Sequence, residues 1–125
     1  MKPEAASDVR SMIYDLLYSL GITANYHGFF FTSDAIQLAL QQPERLLLIS
    51  KLIYPDIAKH YCTTWNNVER CIRKTTDVAW KLRPERINAI AMRNLECRPT
   101  NAQFISMLSN YLQFHAVEGN EIAHT

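Results

Sequence analysis

The stretch PDIAKHYCTTWNNVERCIRKTTDVAWKL, residues 55–82, decides how the chain is read. Pro55 is suited to the first turn of a short helix that runs to Tyr61 with Ile57 and Ala58 inward. Cys62 and Thr63 make a turn. Thr64 can cap a longer helix from Trp65 to about Leu82. Val68, Ile72, Thr75 or Thr76, Ala79 and Trp80 recur at helical spacing and give this helix its inward face. A short helix, a tight turn and a longer helix are the layout of a helix-turn-helix, whose second helix projects from the body of the fold.

The flanks are helical too. Val9, Met12, Ile13, Leu16, Leu17 and Leu20 form one apolar stripe, with Ser7 placed to cap it and Gly21 to end it at the C′ position. Ile22 to Gly28 reads as a connection. Phe29, Phe30 and Phe31 read as a plug for the core ahead of a helix that Thr32 or Ser33 caps, which runs to about Gln42 with Ala35, Ile36, Ala39 and Leu40 inward. Pro43 opens a helix over about 44–53. Its Leu46, Leu47, Leu48, Ile49, Leu52 and Ile53 are apolar nearly all round, which predicts a central position. Further helices are expected over about 84–92 and 100–114. Thr100 caps the second of these, whose core face is Phe104, Ile105, Leu108, Tyr111 and Leu112. No strand pattern and no internal repeat appears. The expected class is an all-α, compact multi-helix bundle. It comprises a disordered tail over 1–7, one domain over 8–114 with the helix-turn-helix at 55–82, and a flexible tail over 115–125.

Composition narrows the function classes. The chain has 125 residues, 48% of them hydrophobic, which supports one packed core and not a disordered segment. With three glycines and neither G-x-G-x-x-G nor G-x-x-x-x-G-K, a phosphate-cradling loop is excluded. No apolar run approaches the ~18 residues of a membrane span. The first residues lack the apolar core of a signal peptide, so a cytoplasmic location without membrane contact is expected. Cys62, Cys71 and Cys97 are odd in number and lack a C-x-x-C pair, which predicts reduced, buried thiols. His60, Cys62 and Cys71 lack the pair spacings and the fourth ligand of a zinc site. Cys62 and His60, at i and i+2, do not face each other on a helix. Neither metal, cofactor nor enzymatic activity is expected.

Charge is segregated along the chain. The formal net charge is +1, yet residues 69–98 hold eight cations against four anions, while both ends are acidic. A polyanion would therefore meet the third quarter. Opposite Val68, Ile72 and Ala79, the long helix offers Asn66, Asn67, Glu69, Arg70, Arg73, Lys74 and Asp77. Such side chains read base edges in a major groove. Arg pairs with guanine O6 and N7, Glu accepts from cytosine N4, and Asn bridges adenine. Their position in the first two turns is where a recognition helix meets bases, with Arg73 and Lys74 further along and within reach of phosphates.

The run LIYPDIAK at 52–59, Thr63-Thr64, Val68-Glu-Arg70, Ile72-Arg73 and Val78-Ala-Trp80 closely resembles the C-terminal effector domain of the master sporulation response regulator of endospore-forming bacteria. The resemblance extends to Gly21-Ile22, His27-Gly28 and Asp34-Ala35-Ile36 upstream and to Arg98-Pro-Thr-Asn101 and Phe104-Ile105 downstream, roughly residues 10–113. It implies an all-helical transcription factor that binds double-stranded DNA, reading a TGTCGAA-like element through the helix 65–82, with copies side by side on tandem elements. Carried over by motif, Glu69 and Arg70 would be the principal base readers and Arg73 would support them. Thr63, Thr64 and the Arg98-Pro99-Thr100-Asn101 segment would face backbone phosphates, with the helix start at Thr100 holding an anion.

Three departures qualify the resemblance. Asn67 stands where the family usually has a basic residue, and Trp65 is bulkier than the usual side chain there, with the size to pack on the sugar-phosphate wall. The segment between Trp80 and Arg98, associated in the family with the RNA polymerase sigma subunit, is a few residues shorter. The family's receiver domain has no counterpart in this sequence, so a stand-alone or separately expressed effector domain is expected. A second reading uses the same fold as a protein-interaction module with weak or no specific DNA binding. The near-neutral net charge and Asn67 favour it.

Overall fold

The computed structural model describes residues 2–124, and the side chains of residues 9–115. Seven α-helices follow one another: α1 Lys2–Ser19, α2 His27–Gln41, α3 Ile49–Leu52, α4 Tyr54–His60, α5 Trp65–Leu82, α6 Pro84–Ala91 and α7 Asn101–His124. A 3₁₀ segment, Pro43–Leu48, precedes α3, and no strand occurs among the described residues. The all-α bundle is the expected class. The side chains of the segments expected as tails, 1–7 and 115–125, lie outside the described residues except for His115.

Helix α2 is the hub, packing on α1, α4, α5 and α7. Its first turns carry Gly28, Phe29, Phe31, Thr32 and Ser33, all buried, followed by Ala35, Ile36 and Ala39. The expected start at Thr32 or Ser33 is therefore corrected to His27. The phenylalanines do plug the core, but from within the helix, where Phe29 lies 5.0 Å from Tyr14 and 5.4 Å from Tyr18 between ring centroids. Burying a side chain of this size contributes about 1.5–3 kcal/mol. No side chain caps the start at Tyr26, so tertiary packing overrode the local capping signal.

Small residues let α2 approach its neighbours. At Gly28 an added Cβ would collide with Thr75 Oγ1 and lie 2.5 Å from the main-chain oxygen of Cys71, so α2 and α5 touch backbone to backbone there. Gly21 ends α1 as expected, with φ +83°. Its N–H donates to Tyr18 O, and the N–H of Ile22 donates to Leu17 O, both at 3.0 Å. These two bonds close a Schellman turn.

The expected central helix over 44–53 does not form as one piece. Leu48, at φ −135° and ψ 58°, interrupts it between the 3₁₀ segment and α3. The pieces lie at the periphery, and Leu47 is 83% exposed. All-round apolarity predicted centrality, but chain geometry gave that place to α2. Arg45 ties this periphery down by donating to Asp56 Oδ2 at 2.8 Å, to Leu52 O at 3.1 Å and to Gln42 Oε1 at 2.9 Å. The thiols also depart from expectation. All three are free, but Cys62 and Cys97 are exposed and Cys71 is half-buried.

Candidate nucleic-acid interface

Helix α5 begins where it was expected. Thr64 caps it, its hydroxyl accepting from the N–H of Asn67 at 3.2 Å. The turn before it closes tightly. Cys62 adopts a left-handed φ of 54°, the N–H of Thr63 donates to Ala58 O at 2.9 Å, and that of Cys62 to Lys59 O at 3.4 Å. This is a Schellman ending for α4 with a cysteine at the glycine position. The α4–turn–α5 unit is thus held at both sides of its turn. Val68, Ile72, Thr75, Thr76 and Ala79 are buried, so α5 is anchored along one side over most of its length.

That anchorage turns six of the expected residues to one place. Thr64, Asn66, Asn67, Glu69, Arg70 and Arg73 line a single open depression on the first turns of α5. Asn66 and Arg70 are exposed. Glu69 accepts from Arg73 Nε at 3.2 Å, an ion pair between adjacent helical turns. Asn67 is engaged within the protein. Its Nδ2 donates to Thr63 Oγ1 at 3.1 Å, while its Oδ1 accepts from Arg70 Nη2 at 2.8 Å and from the Cys71 thiol at 3.7 Å. Lys74 is exposed one turn after Arg70 but lies on the edge shared with Asn25, His27 and Asp77, outside the depression.

The start of α7 packs against α5, through Arg98 and Asn101. Thr100 Oγ1 accepts from the N–H of Gln103 at 3.1 Å, and Gln103 Oε1 accepts from the N–H of Thr100 at 2.9 Å. The two bonds form a reciprocal capping box at the position where a Thr100 cap was expected. Arg98 is held against α5 itself, its Nε 2.8 Å from Asp77 Oδ1, two turns beyond Glu69. Its Nη1 is buried and finds no protein acceptor.

One residue of the segment expected to face phosphates, Asn101, is turned inward instead and organises the site. Asn101 is buried, and its Nδ2 donates both to Tyr54 Oη and to the main-chain oxygen of Glu69, each at 3.1 Å. It joins the starts of α4 and α7 to the second turn of α5. Burial is the main reason that the Tyr54 phenol is pushed above its ordinary value of 10.0; the bond from Asn101 opposes this and the nearby Glu69 carboxylate adds to it. The resemblance marked Asn101 as part of a motif, but an amide directly after a capping threonine is ordinarily solvent-facing, and nothing in the spacing showed it turned inward. His60, Cys62 and Cys71 do not converge, and no group of three metal-ligating side chains occurs among the described residues. Among the same residues no helix is long and apolar enough to cross a membrane.

Fold and site together define an all-helical effector domain built around the α4–turn–α5 unit. Residues 13–112 match the family model described as sporulation initiation factor Spo0A C terminal, and the chain belongs to that family.

Proposed function

We propose that the chain is a sequence-specific transcription factor domain that binds double-stranded DNA and reads a TGTCGAA-like element with α5. The observation that carries this reading is the depression on α5, where a carboxylate, two guanidinium groups and two amides share one open surface. Glu69 and Arg70 address base edges in the major groove. Thr63, Thr64, Lys74 and the capped start of α7 at Thr100 address phosphates, whose negative charge suits a helix N-terminus. Arg73 and Arg98 begin as partners of Glu69 and Asp77. An exposed pair such as Glu69–Arg73 is worth only about 0–1 kcal/mol, so a phosphate can compete for Arg73. Side-by-side pairs on tandem elements, and contact of the 81–97 segment with the polymerase sigma subunit, belong to the same reading.

The test is a mobility-shift titration against the element and a scrambled duplex at moderate salt. Preference for the element supports the reading, and equal binding to both removes it. Arg70→Ala should abolish the preference, whereas Lys74→Ala should weaken binding to both duplexes alike.

One observation favours the protein-interaction reading. Leu47, Leu48 and Leu52 stand exposed on one peripheral segment, an apolar ledge that is no part of α5. Salt separates the two readings, because a ligand that touches several phosphates loses affinity steeply as salt rises.

A further inference from the structure

We infer that Asn67 is a positioning residue that fixes the guanidinium of Arg70 for base recognition, and not itself a base reader. This inference rests on the assignment of α5 as the DNA-reading helix. The two ends of the Asn67 amide are used in opposite directions. Its Nδ2 donates to Thr63 Oγ1 at 3.1 Å, and its Oδ1 accepts from Arg70 Nη2 at 2.8 Å. Thr63 is in turn pinned, because its N–H closes the end of α4 on Ala58 O at 2.9 Å. A continuous chain of bonds therefore runs from the body of α4 through Thr63 and Asn67 to the tip of Arg70. The Cys71 thiol, 3.7 Å from the same Oδ1, holds the amide from the far side.

The chemistry asks for this arrangement. An arginine side chain has several freely rotating bonds, and ordering them at the moment of binding costs affinity. Recognition of guanine needs two coplanar N–H groups at once, so a guanidinium held beforehand in one plane discriminates better than a mobile one. The bond to Asn67 engages one proton of Nη2 and leaves the other, with Nη1 and Nε, for a base edge. A lysine or arginine at position 67 has no acceptor to offer and would repel Arg70, so the bond seen here needs an acceptor side chain at that position. Asn66, exposed one residue earlier, remains available to DNA without this constraint.

The experiment compares the parent protein with Asn67→Ala, Asn67→Asp, Arg70→Ala and the double variant Asn67→Ala/Arg70→Ala. Each is titrated against the TGTCGAA-like duplex and a scrambled one, after thermal melting has established its fold. Asn67→Ala should lower the preference for the element by about tenfold, within the range of one bidentate contact, while changing affinity for the scrambled duplex by less than about twofold. Asn67→Asp keeps the acceptor for Arg70. It should retain the preference while weakening binding to both duplexes through its added negative charge. In the Arg70→Ala background, where no preference remains to be lost, Asn67→Ala should leave the affinity for the element itself unchanged, the signature of a residue that acts through another. An equal loss of affinity for the element in both backgrounds would show Asn67 touching DNA directly and overturn the inference, as would an unchanged preference in Asn67→Ala. If the parent protein binds both duplexes equally, the DNA-reading assignment fails and the inference falls with it. That outcome is distinct from the other two because it appears before any substitution is made.

Discussion

Asn101 at the start of α7 donates to the main-chain carbonyl of Glu69 in α5 across 3.1 Å, so the helix that presents the candidate reading residues is tied by its backbone to the start of α7. A carbonyl inside a helix has a second lone pair, and here a buried amide uses it. The same nitrogen also serves Tyr54 Oη at 3.1 Å, which brings the first turn of α4 into the tie. Replacing Asn101 with leucine leaves the Tyr54 hydroxyl buried without this donor. Unsatisfied buried groups cost about 1–3 kcal/mol. We expect Asn101→Leu to lower the unfolding free energy by about that amount in urea titration, and Tyr54→Phe to cost less. In the Asn101→Leu background the cost of Tyr54→Phe should shrink further, since the partners act together.

The Tyr54 phenol gives this tie a pH dependence. Its folded value lies above the ordinary 10.0, chiefly because burial disfavours the phenolate. The unfolded chain therefore releases this proton first. The stabilisation is fully present below about pH 10 and is lost as pH rises from there through the folded value. Melting temperatures measured from pH 8 to pH 11 should fall on the alkaline side, and Tyr54→Phe should flatten part of that fall. Tyr61 contributes in the same direction, since burial and the neighbouring Asp34 carboxylate also raise its phenol. The flattening should be more complete in Tyr54→Phe/Tyr61→Phe.

The approach of α2 to α5 at Gly28 sets a steric test. A methyl group there has no room between Thr75 Oγ1 and the Cys71 carbonyl. Overpacking of this kind costs about 1–3 kcal/mol. Gly28→Ala should lower the melting temperature by several degrees. Adding Thr75→Ala should recover part of the loss, because it removes the hydroxyl but leaves the carbonyl of Cys71 in place.

The turn between α4 and α5 offers the opposite sign. Cys62 holds a left-handed backbone at φ 54° without a glycine's freedom, and it is exposed. For a residue with a Cβ that conformation costs roughly 1–2 kcal/mol, of which the greater entropy of unfolded glycine cancels a part. Cys62→Gly should therefore raise the unfolding free energy by up to about 1 kcal/mol. A loss of stability in that variant would show that the thiol makes a contribution beyond its backbone.

The elements that were legible in the sequence are those in which local and tertiary signals agree. Helix α5 combined a capping Thr64 with one apolar face and two charged turns, and it runs from Trp65 to Leu82 as expected. Gly21 and Thr100 likewise sit where backbone chemistry demands them. Elsewhere residue type and position in the fold diverge. Thr32 and Ser33 looked like caps but are buried inside α2, where Phe29 and Gly28 draw the helix start back against α1 and α5. Leu47 looked like core but stands in solvent. At the candidate interface, residue types gave the members of the depression, yet not its wiring. That Arg73 leans on Glu69, Arg98 on Asp77 and Arg70 on Asn67 depends on side-chain geometry that spacing alone leaves open.

That wiring yields an electrostatic prediction. The Glu69–Arg73 pair spans 3.2 Å on an exposed helix face. A pair of this kind adds only about 0.3–0.5 kcal/mol to the fold, so Glu69→Gln should leave the melting temperature nearly unchanged. Binding should respond in two ways. Removing the carboxylate takes a negative charge from the interface and releases Arg73, so affinity for any duplex should rise. The slope of log affinity against log salt should steepen by about one phosphate contact. Preference for the element should fall at the same time, because the neutral amide accepts a cytosine N4 proton less strongly than a carboxylate does. Affinity and discrimination would thus move in opposite directions in one variant. A Glu69→Gln protein that lost affinity for both duplexes equally would instead mark Glu69 as a support for the shape of α5, with no part in reading DNA.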